Sequence, residues 1–108
     1  MRSMFAPLFA AAVLAVLPAT AAPAPVTVKI ANFTFAAPEV TVPVGATVTW
    51  INEDDIPHTI VADDKTTFRS KVLDSGDRFT FTFAKAGSYG YFCSIHPHMT
   101  GRIVVKAP

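Results

Sequence analysis

The chain has 108 residues, nine basic against eight acidic side chains, and a single cysteine. That length holds one domain at most, the near balance of charge leaves no basic stripe for nucleic acid, and one thiol cannot close an internal disulfide.

Arg2, the 14-residue apolar run Met4 to Leu17 and the small-residue site Ala19-Thr20-Ala21 follow one another in the order of a secretory signal peptide. Cleavage is expected before Ala22, because a cut one residue later would leave Pro23 at the new N-terminus. The apolar run falls short of the roughly 20 residues that cross a bilayer, so no stable membrane insertion is expected. Residues 1–21 then form the signal and residues 22–108 an exported domain, periplasmic or otherwise secreted. Without Arg2, eight of the nine basic residues remain to balance the eight acidic ones.

After the Ala/Pro spacer Ala21 to Pro25 the pattern becomes short β-branched and aromatic runs broken by Pro, Gly and Asp. Val26, Val28 and Ile30 alternate with Thr27 and Lys29, and Val40 and Val42 flank Thr41, as in half-buried strands. Pro43-Val44-Gly45 turns the chain into a strand over Thr47 to Asn52 that carries Trp50. Glu53 to Pro57 reads as an acidic loop that delivers His58 into a short strand, Thr59 to Val61. The polar segment Asp63 to Lys71 fits either a helical turn or an irregular loop. Phe79, Phe81 and Phe83 share one face of the next strand, and Tyr89, Tyr91 and Cys93 one face of the strand after it, with Arg102 to Lys106 closing the domain. Seven to eight strands without room for crossover helices predict an all-β fold, an antiparallel Greek-key β-sandwich.

The chemistry concentrates in Cys93-Ser94-Ile95-His96-Pro97-His98-Met99. A thiolate, an imidazole three residues on and a thioether three further can wrap one ion, and sulfur with imidazole favours copper. His58, 35 residues before Cys93, supplies a fourth ligand if two strand ends converge at one end of the sandwich. Two histidines and a cysteine near one plane, with a weak axial methionine, are the ligands of a blue-copper electron-transfer centre. Taken singly, a lone Cys or Met is ordinary core filler and a turn histidine is ordinarily solvated; jointly, at this spacing, they are not.

These residues, with Thr47-Val48-Thr49-Trp50-Ile51-Asn52, Pro57-His58, Gly87-Ser88-Tyr89-Gly90-Tyr91-Phe92-Cys93 and the Cys-x2-His-x2-Met spacing, resemble the cupredoxins, the type 1 blue copper proteins, and among them the amicyanin type. The resemblance implies one copper per chain, with His58 as the buried imidazole, Cys93 as thiolate, His96 as the ligand nearest solvent and Met99 as the axial thioether. Two positions depart from that pattern. Ile95 stands where relatives carry proline, so its N–H is expected to reach the Cys93 sulfur and raise the reduction potential. Thr59 stands where they carry asparagine, so a weaker tie to the cysteine loop is expected, with the Thr59 N–H still a donor to the sulfur.

His98 replaces an apolar residue. It reads as a solvated side chain, with an exposed His96–His98 pair or a zinc site as the functional alternatives. The aromatics Trp50, Phe79, Phe81 and Phe83 read as core, Tyr89 as a structural corner, and Glu53, Asp54 and Asp55 as a solvated loop tip. An apolar rim of Pro57, Ile56, Pro97 and Pro43 around His96 is expected to dock redox partner proteins briefly. The expected function is a monomeric, non-enzymatic carrier of single electrons, and the alternative is a copper chaperone or buffer.

Overall fold

The computed structural model describes residues 23–108. The expected signal peptide and its cleavage point before Ala22 lie outside them.

Eight strands form two four-stranded sheets: β1 (Val26–Ala31), β2 (Thr34–Phe35), β3 (Glu39–Pro43), β4 (Thr47–Asn52), β5 (Val61–Ala62), β6 (Arg78–Thr82), β7 (Gly87–Phe92) and β8 (Thr100–Lys106). The first sheet runs β2-β1-β4-β6 and the second β3-β8-β7-β5. The all-β sandwich is as expected, but its sheets are mixed and not purely antiparallel. β1 pairs parallel with β4, and β3 parallel with β8. Parallel neighbours need a crossover, and here a strand of the opposite sheet provides it: the chain leaves β1, passes through β3, and returns to β4 alongside its start. No helix is required.

Alternation supplies the core. Val28, Ile30, Val48 and Trp50 of the first sheet face Tyr91, Ile103 and Val105 of the second, all buried. Phe79 and Phe81 are only half-buried, because β6 is an edge strand. They are covered by Phe68, whose ring lies 5.1 Å from Phe81, 5.7 Å from Phe83 and 5.8 Å from Trp50. Phe68 belongs to the segment that periodicity left open. That segment is irregular: Asp64 accepts the N–H groups of Thr66 and Thr67, and the chain then returns along residues 58–62 through Ala62 N–H to Phe68 O and Ser70 N–H to Ile60 O. Alternation cannot reveal an aromatic that enters the core from a turn.

Gly101 lies opposite Tyr91 in the β7–β8 register, and a Cβ there would stand 2.3 Å from the tyrosine ring. Glycine therefore leaves the space that the ring fills. Tyr89 forms the expected corner, its hydroxyl donating to Lys85 O at 2.7 Å.

The parallel registers fix which ends coincide. The C-terminal ends of β1 and β4 and the N-terminal ends of β3 and β8 share one pole of the sandwich, where the loops carrying His58 and His96 emerge. Pro43 pairs with Lys106 at the other pole, so it cannot belong to a rim around His96, as the sequence had suggested.

Candidate metal centre

His58 is placed by the backbone on both sides. Its N–H donates to Leu73 O at 3.0 Å and its carbonyl accepts from Leu73 N–H at 2.8 Å. The loop before it is anchored by Asn52, fully buried at the end of β4, whose Nδ2 donates to Ile56 O and Leu73 O, both at 2.9 Å. Asn52 Oδ1 accepts the N–H of Asp54 at 2.9 Å. A buried amide with both ends used in this way costs little to desolvate and fixes the loop that it spans.

Asp54 then turns inward and does not stay at a solvated tip. Its carboxylate oxygen accepts from His58 Nε2 at 2.8 Å, which leaves the Nδ1 lone pair of His58 facing the interior. The same carboxylate accepts the N–H groups of Asn32 at 2.6 Å and Phe33 at 2.9 Å. The Phe33 N–H is the largest influence holding the Asp54 carboxyl below the usual carboxylate range; partial burial opposes it, and His58 and Asn32 add to it.

Cys93 continues β7 with the parity of Tyr89 and Tyr91 and is completely buried. The loop that follows closes on itself: Cys93 N–H donates to Met99 O at 3.0 Å and Met99 N–H to His96 O at 2.9 Å. Met99 is thereby buried at the same pole and His96 half-buried. Cys93 Sγ lies 3.8 Å from His58 Nδ1 and 3.7 Å from His96 Nδ1. These residues form the one group of metal-ligating side chains among the described residues, their donor atoms all within 4.8 Å of one another.

This donor set fits a copper ion. Metal–nitrogen and metal–sulfur bonds of about 2.0 and 2.3 Å at trigonal angles set the nitrogen and sulfur roughly 3.7 Å apart, close to the 3.8 and 3.7 Å found. One thiolate, two imidazoles and a nearby thioether make up the soft N/S combination that suits copper.

Burial pushes the Cys93 thiol up, but hydrogen bonding to the sulfur, led by the Thr59 N–H, outweighs it and brings its pKa down to about 6. The Thr59 N–H donates to the sulfur at 3.4 Å and the Thr59 hydroxyl reaches it at 3.8 Å. Ile95, expected to be a donor, is not among the sulfur's partners, which are the Thr59 N–H and hydroxyl and the ring nitrogens of His58 and His96. Ile95 points to solvent. Nor is the Thr59 tie weak. The Thr59 hydroxyl accepts the N–H of Ser94 at 2.8 Å and shares a second hydrogen bond with the Ser94 hydroxyl at 2.8 Å. Serine at 94 completes with a second hydroxyl what a single threonine lacks.

His98 stands exposed and outside the group. Two residues of the site were missed in the sequence. Asp54 was hidden in an acidic run, although its position four before His58 was a signal. Phe33, on the β1–β2 turn, sits with its ring centroid 5.6 Å from that of His58 and 5.0 Å from that of His96, edge-on to both; nothing in a lone aromatic near a turn announces that.

Comparison with known proteins agrees with this geometry. The chain is 38% identical over 87 residues to an amicyanin from Paracoccus versutus, covering 75% of this chain and 64% of that protein, so it spans just under two thirds of that relative's length. The solved structure of an oxidised methionine-to-leucine variant of amicyanin superposes with a TM-score of 0.71 at 33% identity, covering 75% of this chain and 81% of the other. A copper-containing nitrite reductase from Thermus scotoductus superposes at 0.73 with 39% identity over 80% of this chain, but over only 23% of the enzyme. The cupredoxin-like domain matches residues 4–105. With eight strands in two facing sheets and the histidine–cysteine–histidine cluster at one pole, the chain belongs to the cupredoxin family.

Proposed function

We propose that the protein is an exported, periplasmic carrier of single electrons in which His58, Cys93, His96 and Met99 ligate one copper ion. The observation that supports this most is the approach of Cys93 Sγ to two imidazole nitrogens at 3.8 and 3.7 Å, from elements far apart in sequence. Copper held by such a set supplies a one-electron couple between Cu(I) and Cu(II).

The chain's part is to keep the donors still. His58 is locked by Leu73 and Asp54, Cys93 by Met99 O and Thr59, and the loop bearing His96 by its own closing hydrogen bonds. Donors fixed before the electron arrives need little rearrangement when it does. His96 carries the path to the surface, where Ile56, Ile95 and Phe33 are exposed together with Pro57 and Pro97. We infer brief docking of a redox partner on this rim, because a small apolar patch without fixed ion pairs releases quickly. We read the chain as a carrier and not an enzyme, and as a monomer.

Mixing copper-loaded protein in its Cu(I) and Cu(II) forms, and separately with apo protein, tests the reading by NMR line shapes. Electron exchange without transfer of metal to the apo form is expected. Copper that moves to the apo form faster than electrons move between loaded forms would make the protein a copper chaperone. N-terminal sequencing of the form exported from a bacterium reads the cleavage expected before Ala22.

A further inference from the structure

Phe33 is in an unusual place. It and Asn32 both have φ of 55°, the left-handed region, where a bulky side chain is costly and asparagine is only tolerated. The residue is 47% exposed although its side chain is large and apolar. Two unfavourable features at one residue need a compensating contact, and the structure supplies two. The Asp54 carboxylate takes both N–H groups of the turn, and the ring rests edge-on against both imidazoles of the cluster.

The three rings enclose one another. The imidazole centroids of His58 and His96 lie 5.1 Å apart, and Phe33 closes the triangle on the solvent side. The two histidines differ in what else holds them. His58 is fully buried and its Nε2 is bonded to Asp54. His96 is half-buried, and among the described residues its ring has the Cys93 sulfur on one side and the Phe33 ring on another.

Resting on the copper-site reading above, we propose that Phe33 is a positioning residue for His96: the strained turn, held by Asp54, presses the phenyl ring against the imidazole and keeps it in the orientation that points Nδ1 at Cys93. Asp54 thereby serves both imidazoles, His58 through its own carboxylate and His96 through the turn that carries Phe33. The edge-on geometry sets the positive rim of one ring against the electron-rich face of the other, an interaction that outlasts simple crowding.

Replacement by glycine separates contact from fold, because Phe33→Gly relieves the left-handed strain and leaves both amides free to bond Asp54. In the apo protein the His96 ring resonances are expected to broaden or average on Phe33→Gly while those of His58 stay sharp. In the copper-loaded protein, loss of copper to an excess of chelator is expected to quicken about tenfold or more, the range for partners that orient metal ligands. Phe33→Tyr, which keeps the ring, should restore both properties, and Asp54→Ala should disturb both histidines. His96 resonances unchanged in Phe33→Gly, or copper loss within about twofold of the parent, would overturn the proposal. Parent protein that takes up no copper would defeat the functional reading, and the apo NMR comparison would still decide the role of Phe33.

Discussion

At position 59 the effect of a threonine hydroxyl on the copper site becomes a matter of one proton. The Thr59 oxygen has two lone pairs and one hydrogen, and around it stand the Ser94 N–H, the Ser94 hydroxyl and the Cys93 sulfur. If Ser94 donates both of its hydrogens, the Thr59 hydrogen is left for the sulfur and every group is satisfied. A hydrogen bond to the thiolate stabilises its charge and favours Cu(I), which raises the potential. Thr59→Val is therefore expected to lower the reduction potential by about 60 mV, a tenfold change for one electron, while Ser94→Ala holds or raises it. Voltammetry of the two variants checks both signs. Ile95, by contrast, makes no bond to the sulfur, so the sequence argument for it fails: a spacing of two residues after the cysteine does not say which way the amide points.

Among the connecting elements, the stretch from Asn52 to Leu73 does most to shape the site. Asn52 makes three side-chain hydrogen bonds in this region. At about 1 kcal/mol net for each, Asn52→Ala is expected to destabilise the domain by about 3 kcal/mol in urea unfolding and to loosen the copper site with it. Further along, the Asp64 turn is held by bonds from the Thr67 hydroxyl and the Thr67 and Thr66 N–H groups, which bring the Asp64 carboxyl down to about 2. A carboxyl lowered in the folded state contributes stability above its ordinary pKa and loses it as pH falls toward the lowered value. Asp64→Ala is thus expected to be less stable than the parent above about pH 4, with the difference fading as the pH is taken toward about 2. On the second sheet, Gly101→Ala forces a methyl against the buried Tyr91 ring, and a loss of about 1–3 kcal/mol or more is expected on thermal or urea unfolding.

For the molecule as a whole, the sandwich, its strands and the Cys93–His96 part of the cluster were legible because alternation and short ligand spacing are local properties of the chain, whereas His58, 35 residues away, was legible through the resemblance to a known family and not through local spacing. Parallel pairing was not legible: β1 and β4 become neighbours only because the intervening strand crosses to the other sheet, a fact no window of residues contains. Phe68 and Phe33 escaped for the same reason, each acting from a turn or loop on groups distant in sequence, whereas Asp54, only four residues before His58, was masked by the acidic run around it. Pro43 was placed wrongly until the parallel registers showed which strand ends share a pole. The two poles divide the labour, one closing the sheets and the other holding the donors, and among the described residues no helix is long and apolar enough to cross a membrane. The central claim is that one ion is shared by a thiolate, two imidazoles and a thioether brought together at that pole. The optical and EPR spectra of the copper-loaded protein test it most directly. An intense visible thiolate-to-Cu(II) charge-transfer band with narrow copper hyperfine splitting, lost in Cys93→Ser, is the predicted result; a weak Cu(II) spectrum that Cys93→Ser leaves unchanged would contradict it.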